Sequence, residues 1–369
     1  MKVAVVGGGV MGAATSWRLA KRGAEVVCFD RFSPPHTHGS SFGDSRIIRT
    51  AYFEGAFYVP LLRESFELWR ELESIGGERL LTMTGALYIG RSDSEAVVGA
   101  QESARQHGLE IDVLSAPELR KRYPGHSPRD GDVAVLDRQA GILNPEGAVT
   151  AMLAQVPDVR REHRIDKPDQ LLREFDAVVV AAGPWTPELI PWIPLKVERQ
   201  VHAWLSIAKD AKWFAPDVFP VFIRQTEQFG DVYGFPALDG ASVKVGRHHD
   251  GANTDPDHIN RQVGDADIDP LRLMAATYLR GVSGHVRRTL TCMYTNTPDH
   301  DFVIDFAPED RRIVVISACS GHGFKFGPVI GDIAADLVLD SKTGRDISHF
   351  AAARFTTSDV PGDDHRHDK

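Results

Sequence analysis

The stretch KVAVVGGGVMGAATSWRLAKRGAEVVCFD, residues 2–30, decides the fold class. Its first five residues (2–6) form a short run rich in valine, which is typical of a buried parallel strand. A glycine-rich turn follows, and then a segment with helical periodicity that ends at Gly23, where glycine favours a helix end. A second apolar run (25–30) completes a strand–helix–strand unit, so we predict an α/β fold.

The glycine turn predicts a dinucleotide-binding site. Gly7, Gly9 and Gly12 have the spacing G-x-G-x-x-G. The first glycine permits a tight turn, the second lets the backbone approach a pyrophosphate, and the third lets the helix pack against the strand. Asp30, 18 residues after Gly12, is placed to accept hydrogen bonds from a ribose hydroxyl. The alternative is a glycine-rich turn that binds nothing, but the coincidence of strand, turn, helix and acid favours binding.

Two further buried strands are predicted over 176–182 and 312–318, while alternating segments between them indicate an antiparallel sheet. A second glycine fingerprint for NAD(P)H is missing after the strand at 176–182, and flavoproteins of this type draw nucleotide-binding segments from both ends of the chain. Together these observations favour FAD. We expect a FAD-binding domain over 1–80, 140–192 and 298–356, a substrate domain over 81–139 and 193–297, and a disordered tail over 357–369.

The bulk composition narrows the partners. The chain has 369 residues, a formal net charge of −9 and a sequence pI of about 5.9. Such an acidic balance argues against nucleic acid or an anionic membrane as a partner. The apolar N-terminus breaks into glycines after six residues, so we interpret it as a strand and not as a leader. Three cysteines cannot all pair, and we expect a cytoplasmic protein.

The segment GDSRIIRTAY (43–52) carries two arginines, Arg46 and Arg49, in an otherwise half-buried pattern. A guanidinium in such a place requires a negative partner, because burying a charge is unfavourable unless it is paired. The partner can be a bound ligand. The alternative is a carboxylate at the protein surface, such as Glu54.

Several segments resemble the monomeric sarcosine oxidase and N-methyltryptophan oxidase family of flavoproteins. They are PPHTHGSSFGDSRIIRTAY (34–52), CMYTNTPDHDFVID (292–305) and SGHGFKF (320–326). The resemblance implies a Rossmann-like FAD-binding domain with an interleaved antiparallel-sheet substrate domain. It implies a monomeric oxidase of secondary (N-methyl) amino acids that transfers electrons from the C–N bond to covalently held FAD and then to O2. The products are an imine, which hydrolyses to an aldehyde and an amine, and H2O2.

The resemblance also implies roles for individual residues. Arg49 and Lys325 match the pair that holds the substrate carboxylate, and Arg46 matches a residue against the flavin ring. Cys292 matches the cysteine joined to the flavin, and Lys244 the lysine that promotes the reaction with oxygen. The remaining matches are the pocket residues Tyr233, His248 and Tyr294 and, for the cofactor, Gly183 and Gly323.

Each of these residues has a plainer interpretation. Lys244 and Lys325 can be surface lysines, and Cys292 a small buried side chain. His322 can approach the flavin or cap its own turn. We predict no metal site at the neighbouring His248 and His249, since successive strand residues point to opposite faces.

The chain departs from the family pattern at two places. Phe42 stands where a histidine is usual, which removes a polar contact to the flavin. The segment 157–175 is short, and only a stub of the usual β-meander fits there. Two other functions stay open: a flavin-dependent dehydrogenase with another electron acceptor, and a non-catalytic redox sensor that binds the nucleotide.

Overall fold

The computed structural model describes residues 1–355, so the tail expected over 357–369 lies outside the described residues. The strands, in chain order, are β1 (Lys2–Val6), β2 (Glu25–Phe29), β3 (Arg46–Ile48), β4 (Leu81–Met83), β5 (Ala86–Arg91), β6 (Ile111–Ser115), β7 (Asp132–Asp137), β8 (Gly141–Leu143), β9 (Asp158–Arg160), β10 (Ala177–Val180), β11 (Lys196–Ile207), β12 (Val221–Thr226), β13 (Gly230–Phe235), β14 (Ser242–Arg247), β15 (Val282–Asn296), β16 (Val303–Phe306) and β17 (Ile313–Ser317). The helices are α1 (Val10–Lys21), α2 (Val59–Gly76), α3 (Glu95–His107), α4 (Ala116–Arg122), α5 (Pro145–Leu153), α6 (Thr186–Leu189), α7 (Asp265–Tyr278) and α8 (Gly327–Asp340).

The first sheet has six strands in the order β16-β17-β10-β1-β2-β9. All neighbours are parallel except β16 and β17, which are antiparallel. The three buried strands predicted from the valine-rich runs therefore lie side by side as β1, β10 and β17. The runs are apolar throughout because helices cover one face of the sheet and apolar loop residues the other. The predicted α/β class is confirmed.

Helix α1 packs closely on both strand and helix neighbours because small residues lie at its contacts. A Cβ atom on Gly12 would lie 1.7 Å from the carbonyl oxygen of Gly7. On α8, a Cβ atom on Gly331 would lie 2.5 Å from the backbone of Ala14. Any larger residue at Gly12 or Gly331 would push α1 away, so these glycines fix where its N-terminus points.

The second sheet has eight strands in the order β15-β11-β14-β13-β12-β5-β7-β6. Its pairs are antiparallel, as the alternating segments predict, except for the parallel pair β5 and β12. One face packs on α7 and a core of aromatic residues. The other face packs in part on α3 and on Ile142 of β8. The alternation of each strand thus separates core side chains from those that can line a site.

A third, three-stranded antiparallel sheet, β3-β8-β4, lies between the two large ones. Its strand β3 holds Arg46 opposite Leu143, and Arg49 follows directly after the strand. The domain boundary expected between residues 80 and 81 divides this small sheet, because β4 begins at Leu81 whereas β3 and β8 belong to the expected FAD-binding domain. In the short segment 157–175, the structure has only β9, which pairs with β2, and a 3-10 turn over Pro168–Arg173.

No helix within residues 1–355 combines the length and the apolar character that crossing a bilayer requires. Cys28, Cys292 and Cys319 are all free thiols.

A buried histidine in the second sheet's core links stability to pH. His126 is fully buried and stacks on Phe219 with ring centroids 4.6 Å apart. Neither ring nitrogen has a hydrogen-bond partner among the described residues. Burial, and then the nearby Arg224 guanidinium, hold the pKa of His126 well below its ordinary value. The folded protein therefore keeps this imidazole neutral.

We predict that His126→Leu makes the protein less sensitive to acid. Below about pH 6.5 the unfolded chain takes up a proton at this histidine that the folded chain refuses, so stability falls as the pH falls. Between pH 7.5 and 5.5 the variant should lose about 1.4 kcal/mol less unfolding free energy than the wild type. Urea unfolding at the two pH values measures this. His285→Leu, at an exposed histidine, is the control, and equal losses in all three proteins would contradict the prediction.

Candidate functional site

One large cavity lies between the two large sheets and encloses about 1970 Å3 of space between atoms, its open mouth included. Nearly all the residues predicted for the site line it: Gly7, Gly9, Asp30, Arg46, Arg49, Gly183, Tyr233, Lys244, His248, Cys292, Tyr294, Gly323 and Lys325. Gly12 is the exception, because it lies behind the turn, against Gly7.

The glycine turn and Asp30 form one end of the cavity. Helix α1 begins at Val10, and both Val10 and Met11 line the cavity, so the positive end of the helix faces it. The buried carboxylate of Asp30 accepts hydrogen bonds from the backbone N–H groups of Gly8 and Phe32, each 2.7 Å long. A carboxylate has about four acceptor positions, so Asp30 keeps capacity for a ligand hydroxyl.

The turn itself needs glycine for two different reasons. Gly7 has a φ of +103°, and a Cβ atom there would lie 2.4 Å from the carbonyl oxygen of Ala181. Gly8, which we did not single out in the sequence, would meet Pro34 at 2.9 Å and Asp30 at 3.2 Å if it carried a Cβ atom. A side chain on Gly9 would extend toward Ser41 at 3.3 Å. The turn is thus bare backbone on its cavity side.

Arg46 lies at the other end, next to Cys292. Its guanidinium donates to the carbonyl oxygens of Ser40 and Ser45, each at 2.8 Å, and to that of Phe42 at 2.5 Å. The Sγ atom of Cys292 lies 3.9 Å from Arg46 Nη2. Within residues 1–355 no carboxylate pairs with Arg46, so a fixed positive charge faces the cavity beside a buried thiol.

Lys244 is the second cation at this end. It is buried, and its Nζ atom donates to the carbonyl oxygen of Gly43 (2.7 Å) and to Ser45 Oγ (3.0 Å). The interpretation of Lys244 as a solvent-facing strand lysine is therefore wrong. Burial, and then the positive charge of Arg46, hold the pKa of Lys244 well below its ordinary value. The ammonium form of Lys244 is therefore less stable than that of an exposed lysine, and a nearby anion would stabilise it.

Arg49 lies apart from these two, and it has a partner inside the protein. It is only 3% exposed and forms an ion pair with Glu54, while its guanidinium carbon lies 4.1 Å from the ring centroid of Tyr52. Its Nη1 atom has no hydrogen-bond partner among the described residues, and neither has the Oε2 atom of Glu54. Glu54 lines the cavity. Glu54, the carboxylate that the sequence offered as an alternative partner for the arginines, is thus the observed partner of Arg49. Glu54 lies in the cavity and not at the outer surface.

Arg49 and Glu54 each stabilise the charged form of the other. Burial acts to raise the pKa of Glu54, but Arg49, together with the nearby His322 and Lys325, outweighs burial and brings that pKa below its ordinary value. Arg49 stays protonated in all conditions that proteins tolerate. The ion pair is therefore fully charged, and the Nη1 atom of Arg49 and the Oε2 atom of Glu54 remain available for hydrogen bonds.

Lys325 and His322 complete this group around Tyr52. Lys325 is buried, and its Nζ atom donates to the carbonyl oxygen of His322 and, at 3.4 Å, to the hydroxyl of Tyr52. Burial and then Arg49 hold the pKa of Lys325 well below its ordinary value. Burial lowers the pKa of His322 to about 3. The neutral ring of His322 links Tyr52 (2.6 Å) to the carbonyl of His300 (3.0 Å), so it braces the turn as well as lining the cavity.

Aromatic and imidazole groups of the second sheet and of the turn after β14 form the cavity wall between the Arg46–Lys244 group and the Arg49–Lys325 group. The Nδ1 atom of His248 lies 3.1 Å from the Tyr294 hydroxyl. Burial and then His249 hold the pKa of His248 well below its ordinary value, so the ring is neutral. The ring of Tyr233 lies edge-on to that of His248, with centroids 6.4 Å apart. Polar but uncharged groups thus cover this wall.

The expectation that His248 and His249 point to opposite faces is wrong. Strand β14 ends at Arg247, and His249 has a φ of +52°, so both residues belong to a turn. Their ring centroids are 4.0 Å apart, and His249 lies 3.5 Å from the Glu198 carboxylate.

His202 is a cavity residue that the sequence interpretation missed. It lies on β11, opposite Gly246 of β14, and lines the cavity beside Lys244. Its buried Nδ1 atom has no partner among the described residues, and burial followed by Lys244 holds the pKa of His202 well below its ordinary value. Strand alternation places His202 on the same face as Trp204, whose strand partner is Lys244. The alternation of β11 could therefore have identified His202 as a site residue from the sequence.

Comparisons with known proteins agree with this geometry. The family model described as FAD dependent oxidoreductase matches residues 2–337. Monomeric sarcosine oxidase of Bacillus sp. (strain B-0618) is 37% identical over 375 residues, covering 95% of each chain. N-methyl-L-tryptophan oxidase of Yersinia pestis (strain Pestoides F) is 33% identical over 368 residues, covering 95% of this chain and 98% of that protein.

Solved structures show the same fold. The open form of NikD, described as an unusual amino acid oxidase essential for nikkomycin biosynthesis, matches with a TM-score of 0.81 and 25% identity, over 95% of this chain and 96% of its own. Glycine oxidase from Geobacillus kaustophilus matches with a TM-score of 0.79 over 96% of this chain and 98% of its own, at 18% identity.

We predict that Glu54→Gln weakens the free protein but strengthens its binding of carboxylates. Without Glu54, the buried Arg49 has no counter-charge, which should lower the unfolding free energy by about 3 kcal/mol. A carboxylate ligand then restores the missing charge and no longer competes with Glu54. Propionate should bind at least about tenfold more tightly, a gain of roughly 1.4 kcal/mol.

Isothermal titration and denaturant unfolding measure the two effects. Glu54→Asp keeps the negative charge and is the matched control, so its propionate affinity should stay close to that of the wild type. If Glu54→Gln binds propionate no more tightly than Glu54→Asp does, Arg49 is not a carboxylate-binding group.

Proposed function

The chain belongs to the FAD dependent oxidoreductase family, and we propose that it is an oxidase of secondary (N-methyl) amino acids with O2 as the electron acceptor. The observation that carries the proposal is the shared cavity. At one end is a dinucleotide-binding turn, and at another is Arg49 with an unpartnered, buried Nη1 atom. The relatives named sarcosine oxidase and N-methyl-L-tryptophan oxidase support the substrate class.

The residues of the cavity fit FAD. The bare turn at Gly7 and Gly9 and the start of α1 would receive the pyrophosphate, and Asp30 would receive a ribose hydroxyl. Gly183 and Gly323 line the cavity beyond the ends of β10 and β17, and Gly323 also packs on the backbone of Ala318, whose carbonyl oxygen would lie 1.7 Å from a Cβ atom there. Arg46 would place a positive charge beside the ring system, which favours electron acceptance. When bound, FAD supplies the two-electron oxidation of the substrate C–N bond.

Arg49 and Lys325 would hold the substrate carboxylate. The free Nη1 atom of Arg49 and the Nζ atom of Lys325 both lie next to Tyr52. An incoming carboxylate would displace Glu54 from Arg49 and would also favour the charged form of Lys325. Holding the acid group at these fixed cations orients the amine toward the cofactor end of the cavity.

The same cations keep the substrate amine reactive. A secondary amine is oxidised in its neutral form, and nearby positive charges disfavour its ammonium form. The neutral rings of His248 and His322 add no charge. Tyr233, Tyr294 and His248 would form the wall against which the amine and its substituents lie, and their hydroxyl and imidazole groups can form hydrogen bonds with the neutral amine.

We propose that Cys292 carries the flavin covalently. Its buried Sγ atom lies 3.9 Å from Arg46 Nη2 and lines the cavity. Burial raises the pKa of Cys28 and of Cys319 to about 12, which disfavours the thiolate form that attachment at either of them would need. Phe42 contributes its carbonyl oxygen to Arg46, so the loss of the usual histidine side chain leaves this cation in place.

Lys244 would promote the reaction with oxygen. A buried ammonium stabilises superoxide as that anion forms from O2. The alternative, a dehydrogenase with another electron acceptor, makes no use of such a group.

The domain division stays a proposal as well. The first sheet with its helices would bind FAD, over 1–80, 140–192 and 298–356. The second sheet would bind the substrate, over 81–139 and 193–297. The free thiols and the acidic charge support a monomeric, cytoplasmic enzyme without nucleic-acid partners.

A panel of N-methyl amino acids, assayed for peroxide with the purified yellow protein, tests the function. We expect peroxide in proportion to oxygen consumed with at least one secondary amino acid. Flavin that is reduced by substrate without peroxide in air would indicate a dehydrogenase. Flavin that no amine reduces anaerobically would indicate a redox sensor.

We predict that the denatured wild-type protein keeps its yellow flavin, whereas denatured Cys292→Ser releases it. The thioether is a covalent bond, so acid precipitation leaves it intact. Absorbance of the pellet and the supernatant measures the partition. Cys319→Ser, the nearby control, should retain the flavin in the pellet. Release from the wild type, or retention by Cys292→Ser, would exclude this attachment.

We predict that Lys244→Met slows flavin reoxidation by O2 by at least about 100-fold, while anaerobic reduction by substrate changes by less than about fivefold. The reason is that only the oxidative step forms an oxygen anion near this ammonium. Stopped-flow absorbance measures both half-reactions. Equal slowing of the two would remove the assigned role of Lys244.

A further inference from the structure

Asp231 is an acidic residue of the cavity that the proposed function leaves without a role. It lies on β13, two residues before Tyr233, so strand alternation places both side chains on the same face of the sheet. Both residues line the cavity, and Asp231 is partly exposed. No cationic side chain within residues 1–355 forms an ion pair with Asp231, whereas Glu54 is paired with Arg49. The cavity therefore contains a carboxylate without a counter-charge.

Asp231 belongs to the part of the cavity assigned to the substrate. Its carbonyl oxygen accepts a 2.8 Å hydrogen bond from the backbone N–H of His248. Burial raises the pKa of Asp231; the side chain of Gln225 acts against this, and the nearby carboxylate of Glu54 adds to it. The charged form of Asp231 is thus less stable than that of an exposed aspartate, and an incoming cation would stabilise it.

Apolar side chains line the same region of the cavity. Ile223, on the neighbouring strand β12, is the strand partner of Tyr233. The ring centroid of Phe53 lies 4.8 Å from the guanidinium carbon of Arg49. Ile223, Phe53 and Tyr233 all line the cavity and pack in one hydrophobic cluster. Such a surface suits the hydrocarbon stem of a long side chain whose charged end reaches Asp231.

The charges of the occupied site favour one further cation. Under the proposed function, the substrate carboxylate joins Glu54 and Asp231, so three carboxylates would face the two cations of Arg49 and Lys325. The neighbouring imidazole of His248 adds no positive charge, because burial lowers its pKa. A carboxylate that is partly buried without a partner is unfavourable. A cationic group on the substrate would remove this imbalance.

We propose that Asp231 selects amino acids whose side chain ends in a cation, an ammonium or a guanidinium group, an inference that rests on the proposed oxidase function. Arg49 and Lys325 would hold the carboxylate of such a substrate, and Asp231 would hold its distal charge. The two ends of the substrate would then be fixed by opposite charges, with the amine between them. Asp231 is a specificity-determining residue and takes no part in the electron transfer.

Ligands without a secondary amine test this recognition separately from turnover. 6-Aminohexanoate carries a carboxylate and a distal ammonium, and hexanoate lacks only the ammonium. The pairs 5-aminovalerate with valerate and 4-aminobutyrate with butyrate vary the distance between the charges. In at least one pair, the holoenzyme should bind the amino compound about fivefold more tightly than the plain carboxylate, as expected for a partly exposed ion pair. Isothermal titration measures the dissociation constants.

Asp231→Asn removes the charge at nearly constant volume and should abolish the preference for the amino compound. Glu227→Gln is the matched control and should keep the preference, since it removes an exposed carboxylate from the turn between β12 and β13 that does not line the cavity. In turnover, the wild type should oxidise Nα-methyl-L-lysine with a higher kcat/KM than Nα-methyl-L-norleucine, which lacks only the distal ammonium. Asp231→Asn should reverse that order.

The absence of a preference in all three wild-type pairs, or a preference that Asp231→Asn retains, would overturn the inference. Equal slowing of both substrates by Asp231→Asn, with unchanged binding ratios, would assign Asp231 to the substrate amine and would also overturn it. A protein that shows the binding preference but oxidises no secondary amino acid would contradict the proposed function alone, because the binding measurements need no turnover.

Discussion

The site depends on burying positive charge without matching negative charge. Arg46, Lys244, Arg49 and Lys325 all line one cavity, and among the described residues only Arg49 has a carboxylate partner there. Water cannot hydrate these groups fully, so backbone carbonyls and tyrosine take its place. Such an arrangement is unfavourable for the empty protein. The buried cations stabilise any anion or electron-rich group that enters the cavity. A site that accepts electrons needs this property.

The fold supplies the rigidity that keeps these cations in place. Arg46 belongs to the small sheet, Lys244 to the second sheet, and Lys325 to the turn that opens α8. Helix α1 lies closely against the glycine turn and α8, where Gly12 and Gly331 allow backbone contact. A side chain at either glycine would move α1, and with it the glycine turn, relative to the cations.

The sequence predicted those parts of the structure that depend on local patterns. The valine-rich runs, the glycine spacing and the alternating segments follow from periodicity and backbone sterics, so the adjacent strands β1, β10 and β17 could be expected. What the sequence could not show is where the paired charges lie. Glu54 was an expected alternative partner of the arginines, but the sequence does not reveal that Glu54 turns into the cavity. Likewise, alternation failed at His249, because the strand ends two residues earlier and local backbone geometry replaces it.

The cations form two arginine–lysine pairs that divide the work. Arg46 and Lys244 both donate to the carbonyl oxygen of Ser45, and Arg49 and Lys325 both contact Tyr52. An arginine stays charged, whereas a buried lysine beside it has a lowered pKa. The arginine of each pair is therefore a permanent charge, whereas the ammonium form of the lysine becomes more stable when an anion arrives. Under the proposed function, the substrate carboxylate would stabilise one lysine ammonium and reduced oxygen the other, so each end of the cavity would match its own anion.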